Sequence, residues 1–263
     1  MKIDLVYTAA QIDELQVREK NVVIIDVLRS STTIATALYN GAREIIPVAS
    51  IESAVKISGS LFGEVTLRGG ERNGKIIEGF NLGNSPREYT ESTVRGKSII
   101  FCTTNGSVAM YRSRFAKNMA VGSFVNLSTI VQYIRDVGND FLLVCSGGSS
   151  GFGSFSMEDS VCAGMIIQHL QKADLPAIEL TDSSRAALAL HKSFGKSILK
   201  MIRESDHGRY LAEIGLGDDL RICSDVDSIP VLPAQMGTVI KLKSKEIRLA
   251  EGENFPSAST ANA

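Results

Sequence analysis

The stretch Val22-Val23-Ile24-Ile25-Asp26-Val27-Leu28-Arg29-Ser30-Ser31-Thr32 indicates the fold of this chain. Its first four residues are a continuous β-branched run, which is typical of a strand buried on both faces of a sheet. Helical spacing over 32–40 follows and ends before Gly41, a residue that favours helix termination. A buried strand that leads directly into a helix is typical of the α/β class, and we predict that class here.

Apolar runs and helical patterns alternate along the chain as far as Lys172. Further strands are predicted at 44–49, 64–68, 98–102, 119–121 and 141–145, and helices at 51–58, 107–114, 127–135 and 157–171. The charged, glycine-rich stretch 69–75 is predicted to be a loop. Ser85-Pro86-Arg87-Glu88 has the pattern of a capping box, which predicts a helix that begins at Pro86.

The alternation weakens after Lys172. Helices are predicted at 183–194, 196–203 and 207–214, and short strands near 221–223 and 237–242. The sequence has no internal repeat and no low-complexity linker, so a single domain over residues 1–250 is expected, with a C-terminal subdomain from about residue 175 left open. Residues 251–263 are small and polar, and we expect them to form a flexible tail.

The composition argues against several classes of function. Of 263 residues 44% are hydrophobic, and the formal net charge of −1 comes without any basic block, so no nucleic-acid partner is expected. No apolar run approaches the roughly 20 residues of a membrane-spanning helix, and the N-terminus lacks the pattern of a secretory signal. The four cysteines occur singly, which predicts buried reduced thiols in a cytoplasmic protein and gives no zinc or redox motif.

Four polar motifs lie where the chain is expected to reverse, and all four lead into helical patterns. They are the stretches 26–32, 79–86, 103–106 and 156–159. In open α/β sheets, ligands bind at the junction between a strand and the following helix. The motifs offer backbone N–H groups, hydroxyls and charges, and they predict a site for a small, negatively charged ligand.

Asp26 directly follows the apolar run, where a carboxylate is costly unless it is paired, hydrogen-bonded or bound to a metal. Two interpretations stay open. Arg29 could pair with Asp26 in a structural contact, with Ser30 or Ser31 capping the helix. Alternatively, Asp26 could be a metal-binding or catalytic aspartate beside an anion-binding Arg29.

Three known motifs are incomplete in this chain. Haloacid-dehalogenase phosphatases need a second aspartate two residues after the first, and Leu28 stands at that position. The stretch 69–75 matches most of a P-loop, but Ile76 replaces the serine or threonine that binds magnesium. The stretch 147–151 matches the nucleophile elbow of serine hydrolases, yet several loop residues separate it from the next helix. We expect none of these three activities.

Two helix starts carry further candidate groups. The stretch 103–106 could bind phosphate through its N–H groups, or Asn105 could simply cap the helix. Ser156 and Asp159 fit a variant of the capping box, which would make Asp159 structural. Glu158 has no such role, and the two adjacent carboxylates could hold magnesium.

Of the three histidines, His207 is the best candidate for proton transfer because it lies in a predicted loop. His169 and His191 occur inside helical patterns, where packed or surface residues are the expected interpretation. A surface position is also an open alternative for His207.

These motifs, in this order, resemble the ComB-like family of 2-phosphosulfolactate phosphatases. Each motif is weak by itself, but jointly and in sequence order they are specific. The resemblance covers about residues 4–242. The matching segments are 23–33, 69–72, 79–86, 103–106, 155–159 and 207–208.

The resemblance implies a magnesium-dependent phosphatase that hydrolyses 2-phospho-3-sulfolactate to 3-sulfolactate and phosphate, a step of coenzyme M biosynthesis. It also implies a layered α/β/α fold with a mixed, largely parallel sheet. The chain departs from the family at one position, because the pattern G-F-D-x-G-N-S-P has Asn81 in place of its aspartate. If that aspartate contributes charge to the site, metal affinity or substrate choice differs in this chain.

The resemblance and the residue chemistry together give candidates for each role. Catalysis is assigned to Asp26, Arg29, Glu158 and His207. Substrate binding is assigned to Arg72, Lys75, Asn84, Ser85, Thr103, Thr104, Asn105 and Gly106. One Mg²⁺ ion is expected to take its ligands from Asp26, Glu71, Glu158 and Asp159.

Two mechanisms and several functions stay open. Phosphorus could be attacked by a metal-activated water or by Asp26, which would form a phosphoenzyme. The alternative functions are a phosphatase for another 2-phospho acid and a non-catalytic protein that binds a phosphorylated or sulfonated metabolite. A nucleotide-binding protein is a weaker choice, since no intact G-x-G-x-x-G follows a strand. The expected partner is a small anion, and a homo-oligomer stays open.

Overall fold

The computed structural model describes residues 1–15, 17–60, 66–148, 153–172 and 178–243. The strands are β1 (Lys2–Val6), β2 (Asn21–Ile25), β3 (Glu44–Pro47), β4 (Thr66–Arg72), β5 (Lys75–Ile76), β6 (Ser98–Cys102), β7 (Asn118–Gly122), β8 (Phe141–Cys145), β9 (Glu179–Leu180), β10 (Pro233–Met236) and β11 (Val239–Leu242). The helices are α1 (Ser30–Tyr39), α2 (Ile51–Ser60), α3 (Glu91–Val94), α4 (Gly106–Arg112), α5 (Leu127–Val137), α6 (Met157–Gln171), α7 (Asp182–Phe194), α8 (Ile198–Glu204), α9 (Asp206–Glu213) and α10 (Gly217–Cys223).

The strands form one sheet in the order β5-β4-β6-β3-β11-β10-β7-β2-β8-β1-β9. Strands β4, β6 and β3 pair in parallel on one side, and β7, β2, β8, β1 and β9 pair in parallel on the other. The antiparallel pair β10–β11 lies between these groups and also meets β7 and β3 in antiparallel pairing. Three antiparallel steps therefore reverse the strand direction between the two parallel groups.

Strand β2 is buried along its whole length, as expected for a central strand covered on both faces. Its alternating side chains enter two hydrophobic clusters. Val22 and Ile24 pack with side chains of α1, α4, β3 and β6, whereas Val23 and Ile25 pack with α5, α6 and the helices after residue 182. Helices α1 and α4 contact strands of both parallel groups. The residues that follow β2 and β6 meet beside these helices, where the Ser30 and Thr103 hydroxyl groups lie 3.2 Å apart.

The outer face of β3 and β6 is covered by α2, which packs on Ile100 and Cys102. Helices thus lie on both faces of a mixed, mostly parallel sheet, which confirms the predicted α/β class and the layered arrangement implied by the resemblance. The bounds of β6, β8 and α6 agree with the sequence prediction, while β1, β9 and β10 were not predicted.

The stretch 69–75, predicted as a loop, is instead a β-hairpin. Strand β4 continues through Arg72, and Asn73 and Gly74 form a two-residue turn into β5. Both turn residues have positive φ, 50° and 72°, which is the geometry that an Asn-Gly pair favours between antiparallel strands. The P-loop likeness of this stretch is therefore accidental.

One further prediction of local structure is confirmed only in part, and another is wrong. A helix begins at Pro86 after the capping box of Ser85 and Glu88, as predicted, but it is a single 3-10 turn, Pro86–Glu88, and α3 begins separately at Glu91. The stretch 221–223, predicted as a strand, belongs to α10. Its apolar residues Ile222 and Cys223 are too few to distinguish a strand from a short helix by periodicity.

Some sequence predictions lie outside the described residues. They concern the start of the strand predicted at 64–68, the centre of the glycine loop at 149–152 and the tail 251–263. Within the described ranges, the helices are all too short or too polar to span a lipid bilayer. The four cysteines are free and buried, as predicted.

Candidate active site

A cavity of about 320 Å³ opens where the carboxyl ends of β2 and β6 meet. We call it the polar cavity, because charged and amide side chains from segments far apart in sequence form most of its wall. Its lining consists of Asp26, Leu28, Arg29, Ser30, Glu71, Asn73, Gly74, Asn84, Thr104, Asn105, Gly148, His207 and Tyr210. Three of the four motifs that were predicted to bind an anion therefore contribute to one site.

Asp26 projects from the end of β2 and is almost fully buried. Its Oδ1 accepts a hydrogen bond from the backbone N–H of Ser30 at 3.2 Å. A Cβ atom at Gly106 would lie 2.4 Å from Asp26 Oδ2, so glycine at that position is what lets α4 approach the carboxylate. Burial raises the pKa of Asp26, although hydrogen bonds from Ser30 and the nearby His207 act in the opposite direction.

Arg29 does not pair with Asp26, so the first of the two interpretations from sequence is wrong. The Arg29 Nη1 group donates to Asp219 Oδ2 at 2.8 Å, and Nη2 donates to the carbonyl oxygen of Gly74 at 2.9 Å. Both members of the Arg29–Asp219 ion pair are buried. The guanidinium group is thereby held at the wall of the polar cavity.

Two buried amide oxygens in the polar cavity have no hydrogen-bond partner among the described residues: Asn84 Oδ1 and Asn105 Oδ1. The Asn105 side chain is oriented by its Nδ2 group, which donates to the carbonyl oxygen of Gly148 at 3.0 Å. Unsatisfied buried acceptors are rare, and in a cavity a water, a ligand or a cation can supply the missing partner.

Asn105 does not cap α4 through its side chain, contrary to one of the interpretations from sequence. That role belongs to Thr103, whose Oγ1 accepts from the N–H of Ser107 at 2.9 Å and lies 3.2 Å from the hydroxyl of Ser30. Because Thr103 satisfies the helix start, the Asn105 side chain is left to face the polar cavity.

Glu71 lines the polar cavity, but its carboxylate mainly connects backbone segments. Oε1 accepts from the N–H of Thr104 and Oε2 from the N–H of Gly74, both at 2.8 Å. The carboxylate thereby joins the turn of the β4–β5 hairpin to the end of β6.

Arg72 and Lys75, predicted to bind substrate, lie elsewhere. Neighbouring residues of a strand point to opposite faces, so Arg72 faces away from Glu71, and Lys75 is its direct partner across the hairpin. Arg72 donates to Cys102 Sγ at 3.2 Å, and Lys75 is exposed on β5.

The segment 79–86 supplies Asn84 to the polar cavity, while Ser85 lies just behind it. The Ser85 hydroxyl donates to Asp219 Oδ1 at 2.7 Å. Asn81, where the chain departs from the family pattern, is exposed, and its Oδ1 accepts from the N–H of Arg68 at 2.9 Å. Aspartate could accept the same bond, so this departure does not alter the polar cavity.

The Asp159 carboxylate makes a hydrogen bond that connects α6 to the chain just after β2. Ser156 caps α6 by accepting from the N–H of Asp159 at 3.2 Å, as predicted. The Asp159 carboxylate does not close the capping box, however, and instead accepts from the N–H of Val27 at 2.8 Å, just beyond β2. Burial, followed by the charges of Asp26 and Glu158, raises its pKa well above the ordinary value.

His207 lies in the first turn of α9 rather than in a loop, because Ser205 caps that helix by accepting from the N–H of Gly208 at 3.1 Å. Its Nδ1 atom is 3.5 Å from Glu158 Oε1. Burial by itself would raise the pKa of Glu158, but the adjacent His207 outweighs it, and the pKa is lowered.

A second cavity of about 220 Å³ lies on the other side of His207. We call it the acidic cavity. It shares His207 and Gly148 with the polar cavity, and its other lining residues are Phe155, Ser156, Met157, Glu158, Phe194, Met201, Glu204, Ser205 and Asp206. Glu158 therefore lines the acidic cavity and not the polar cavity, whereas Asp26 lines only the polar cavity.

The four predicted metal ligands do not converge on one point. Within the described part of the chain, no three acidic, histidine or cysteine side chains are grouped closely enough to hold a metal ion. Asp26 and Glu71 reach the polar cavity, where the unpartnered oxygens of Asn84 and Asn105 also lie. An all-oxygen set with few carboxylates fits Mg²⁺, which usually keeps several waters and takes further ligands from a substrate phosphate.

Sequence reasoning missed several residues of the site, and three of them have side chains with defined polar contacts. Tyr210 lies one helical turn after His207, and its hydroxyl donates to the carbonyl oxygen of Asn73 at 2.9 Å, so helical spacing could have indicated it. Ser30 was considered only as a helix cap. Asp219 gave no signal, because its partner Arg29 is 190 residues away in sequence.

Comparisons with known proteins show which family the sequence resembles over most of its length. The pattern of the 2-phosphosulpholactate phosphatase family matches residues 6–238. A probable 2-phosphosulfolactate phosphatase of Caldanaerobacter subterraneus is 37% identical over 234 residues, covering 89% of this chain and 95% of the relative. Relatives with the same description from Clostridium novyi and Clostridium acetobutylicum are 38% and 36% identical over 233 residues, covering 89% of this chain and 96% and 97% of the relatives.

Proposed function

The chain belongs to the 2-phosphosulpholactate phosphatase family, and on that premise we propose that it hydrolyses 2-phospho-3-sulfolactate to 3-sulfolactate and inorganic phosphate. The observation that carries the proposal is the polar cavity itself. It brings together the Asp26 carboxylate, the fixed Arg29 guanidinium, His207 and two unpartnered amide oxygens. These are groups that can bind a phosphoryl group, place an attacking oxygen and protonate a leaving oxygen.

The charges in the polar cavity support a requirement for magnesium. The substrate carries phosphate, carboxylate and sulfonate groups, whereas Arg29 is the only arginine or lysine in the described lining, and Asp26 and Glu71 add negative charge. Asp26, together with the amide oxygens of Asn84 and Asn105, would hold the ion. When bound, Mg²⁺ would offset negative charge on the phosphoryl group and acidify a water molecule.

The side chains of the cavity have distinct roles in this proposal. Arg29 binds phosphoryl oxygens, because a guanidinium fork matches two oxygens of a tetrahedral oxyanion. Asp26 orients the attacking water and takes one of its protons. A new P–O bond forms to this water as the ester P–O bond breaks. His207 then donates a proton to the departing oxygen of sulfolactate.

The proposed activity is tested by phosphate release from a panel of 2-phospho acids. The panel compares the sulfonated substrate with analogues that carry a carboxylate or a methyl group in place of the sulfonate, each in Mg²⁺ and in chelator. We expect the sulfonated compound to give the highest kcat/KM and the chelator to abolish turnover. Equal rates for all analogues would indicate that the enzyme does not recognise the sulfonate group and acts on another 2-phospho acid. Thermal stabilisation by magnesium and phosphate without turnover of any ester would indicate a binding protein.

Acid quench with phosphate-labelled substrate distinguishes the two mechanisms. Attack by water leaves no label on the protein, and this is the result that we expect. Label that is recovered from the wild type and disappears in Asp26→Asn would show that Asp26 is the nucleophile.

A further inference from the structure

The buried ion pair of Arg29 and Asp219 joins the polar cavity to a helix that does not line it. Asp219 belongs to the first turn of α10, and its Oδ2 accepts from Arg29 Nη1 at 2.8 Å. Its other oxygen accepts from the Ser85 hydroxyl at 2.7 Å. The side chains of Arg29 and Asp219 are 2% and 1% exposed, so water cannot take the place of either partner.

The two hydrogen bonds leave part of the guanidinium group available. Arginine has five N–H donors in a planar fork, and among the described residues Asp219 and Gly74 occupy one donor each. These two contacts fix the plane of the group, and Arg29 still lines the polar cavity together with Gly74. A fork fixed in this way loses little conformational entropy when it binds an oxyanion.

Asp219 also competes with the carboxylates inside the polar cavity. Asp26 is three residues from Arg29 in sequence, and Glu71 lines the same cavity, so a mobile Arg29 side chain has two nearby acidic partners. A pair with either one would neutralise Arg29 before substrate arrives. The ion pair with Asp219 prevents this.

We propose that Asp219 is a positioning residue, which fixes Arg29 as the phosphate-binding group of the polar cavity. The inference rests on the proposed function for the identity of the substrate, but phosphate binding by Arg29 can be measured without turnover. Asp219 acts through Arg29 and does not contact the substrate itself.

The neighbouring residue Asp218 offers a matched control. It also accepts a hydrogen bond from an arginine at 2.8 Å, but the partner is Arg87, and their side chains are 77% and 56% exposed. The same Asp→Asn change can therefore be made at two adjacent residues of one helix, each paired with an arginine. Only one of these arginines lines the polar cavity.

The experiment compares Asp219→Asn and Asp218→Asn in the wild-type background and in an Arg29→Lys background. The readouts are KM, kcat and the Kd of inorganic phosphate by calorimetry in Mg²⁺. We expect Asp219→Asn to raise both KM and the phosphate Kd by about 10- to 100-fold, because a small misplacement of a binding group is enough for such a loss. In the Arg29→Lys background, the same change should add less than about 2-fold, since no fork remains to be oriented. Asp218→Asn should stay within about 2-fold of the wild type.

An equal effect of Asp219→Asn in both backgrounds would overturn the proposal, because it would show that Asp219 serves only the fold. If Asp219→Asn does not fold, Asp219→Glu keeps the charge and shifts the carboxylate by one methylene. It should raise the phosphate Kd at least about 3-fold, and an unchanged Kd would contradict the proposal. A wild-type protein that binds phosphate but releases none from the ester would refute the proposed function alone.

Discussion

The polar cavity and the acidic cavity lie on either side of His207, and their walls differ in charge. The polar cavity contains an arginine, two carboxylates and two unpartnered amide oxygens. The acidic cavity contains Glu158, Glu204 and Asp206 between apolar side chains, and its described lining has no arginine or lysine. An anionic phosphate ester with its cation therefore fits the polar cavity and is repelled by the acidic one.

The comparison also separates the roles of the carboxylates. Asp26 lines the cavity where substrate is expected, whereas Glu158 lines the acidic cavity, 3.5 Å from the Nδ1 atom of His207, which lines both. Glu158 can orient the imidazole without contacting the substrate. Variants of the two carboxylates should therefore differ in activity.

Asp26→Asn should lower kcat by about 10³-fold or more, because the polar cavity loses the carboxylate that binds the ion and the attacking water. Melting temperature should not fall at pH 7. The pKa of Asp26 is raised by burial, so its charged form disfavours folding above the ordinary aspartate pKa, and a neutral amide removes that cost. A variant that keeps full activity would exclude Asp26 from the reaction.

His207→Asn should lower kcat by about 10²-fold, the usual contribution of a general acid. The loss should be smaller for an ester whose leaving group is a weak base, such as a nitrophenyl phosphate, because its oxygen needs no proton. Equal losses for both esters would argue that His207 does not donate the proton.

Glu158→Gln should lower kcat only about 10-fold, because Glu158 acts through His207. The pKa of Glu158 is lowered by His207, so its charge stabilises the fold above the ordinary glutamate pKa and loses this effect in acid. The variant should therefore melt below the wild type at pH 7, and the difference should shrink below about pH 4. A loss of activity as large as that of Asp26→Asn would instead support the sequence prediction that Glu158 binds the metal.

Arg72→Met and Lys75→Met should each change kcat/KM by less than about 2-fold, since neither side chain lines the polar cavity. Steady-state kinetics at low ionic strength, where long-range charge effects are strongest, is the strictest test. A 10-fold rise in KM for either variant would show that the β4–β5 hairpin moves onto the substrate.

Sequence reasoning found the parts of the site that follow directly from local patterns. The apolar run 22–25 predicted a buried strand, and a carboxylate at its end had to be functional or paired, which led to Asp26. The same reasoning failed for the partner of Arg29, because nothing local connects it to Asp219, 190 residues away.

Two other errors have local causes. A loop over 69–75 would let Arg72 and Lys75 reach an anion in the site. The Asn73-Gly74 turn makes this stretch a hairpin instead, and strand alternation turns both side chains away. Glu158 and Asp159 looked equivalent at the start of α6. Their difference depends on tertiary contacts, since one meets His207 and the other accepts from the N–H of Val27.

In the proposed function, the polar cavity around Asp26 and Arg29 binds the phosphoryl group of the substrate. A crystal structure of the wild-type protein with inorganic phosphate and Mg²⁺ would show where phosphate binds. We predict phosphate oxygens within about 3 Å of the Arg29 guanidinium group, with the acidic cavity free of anion. Phosphate bound on Arg72 and Lys75, or in the acidic cavity, with none beside Arg29, would contradict the account.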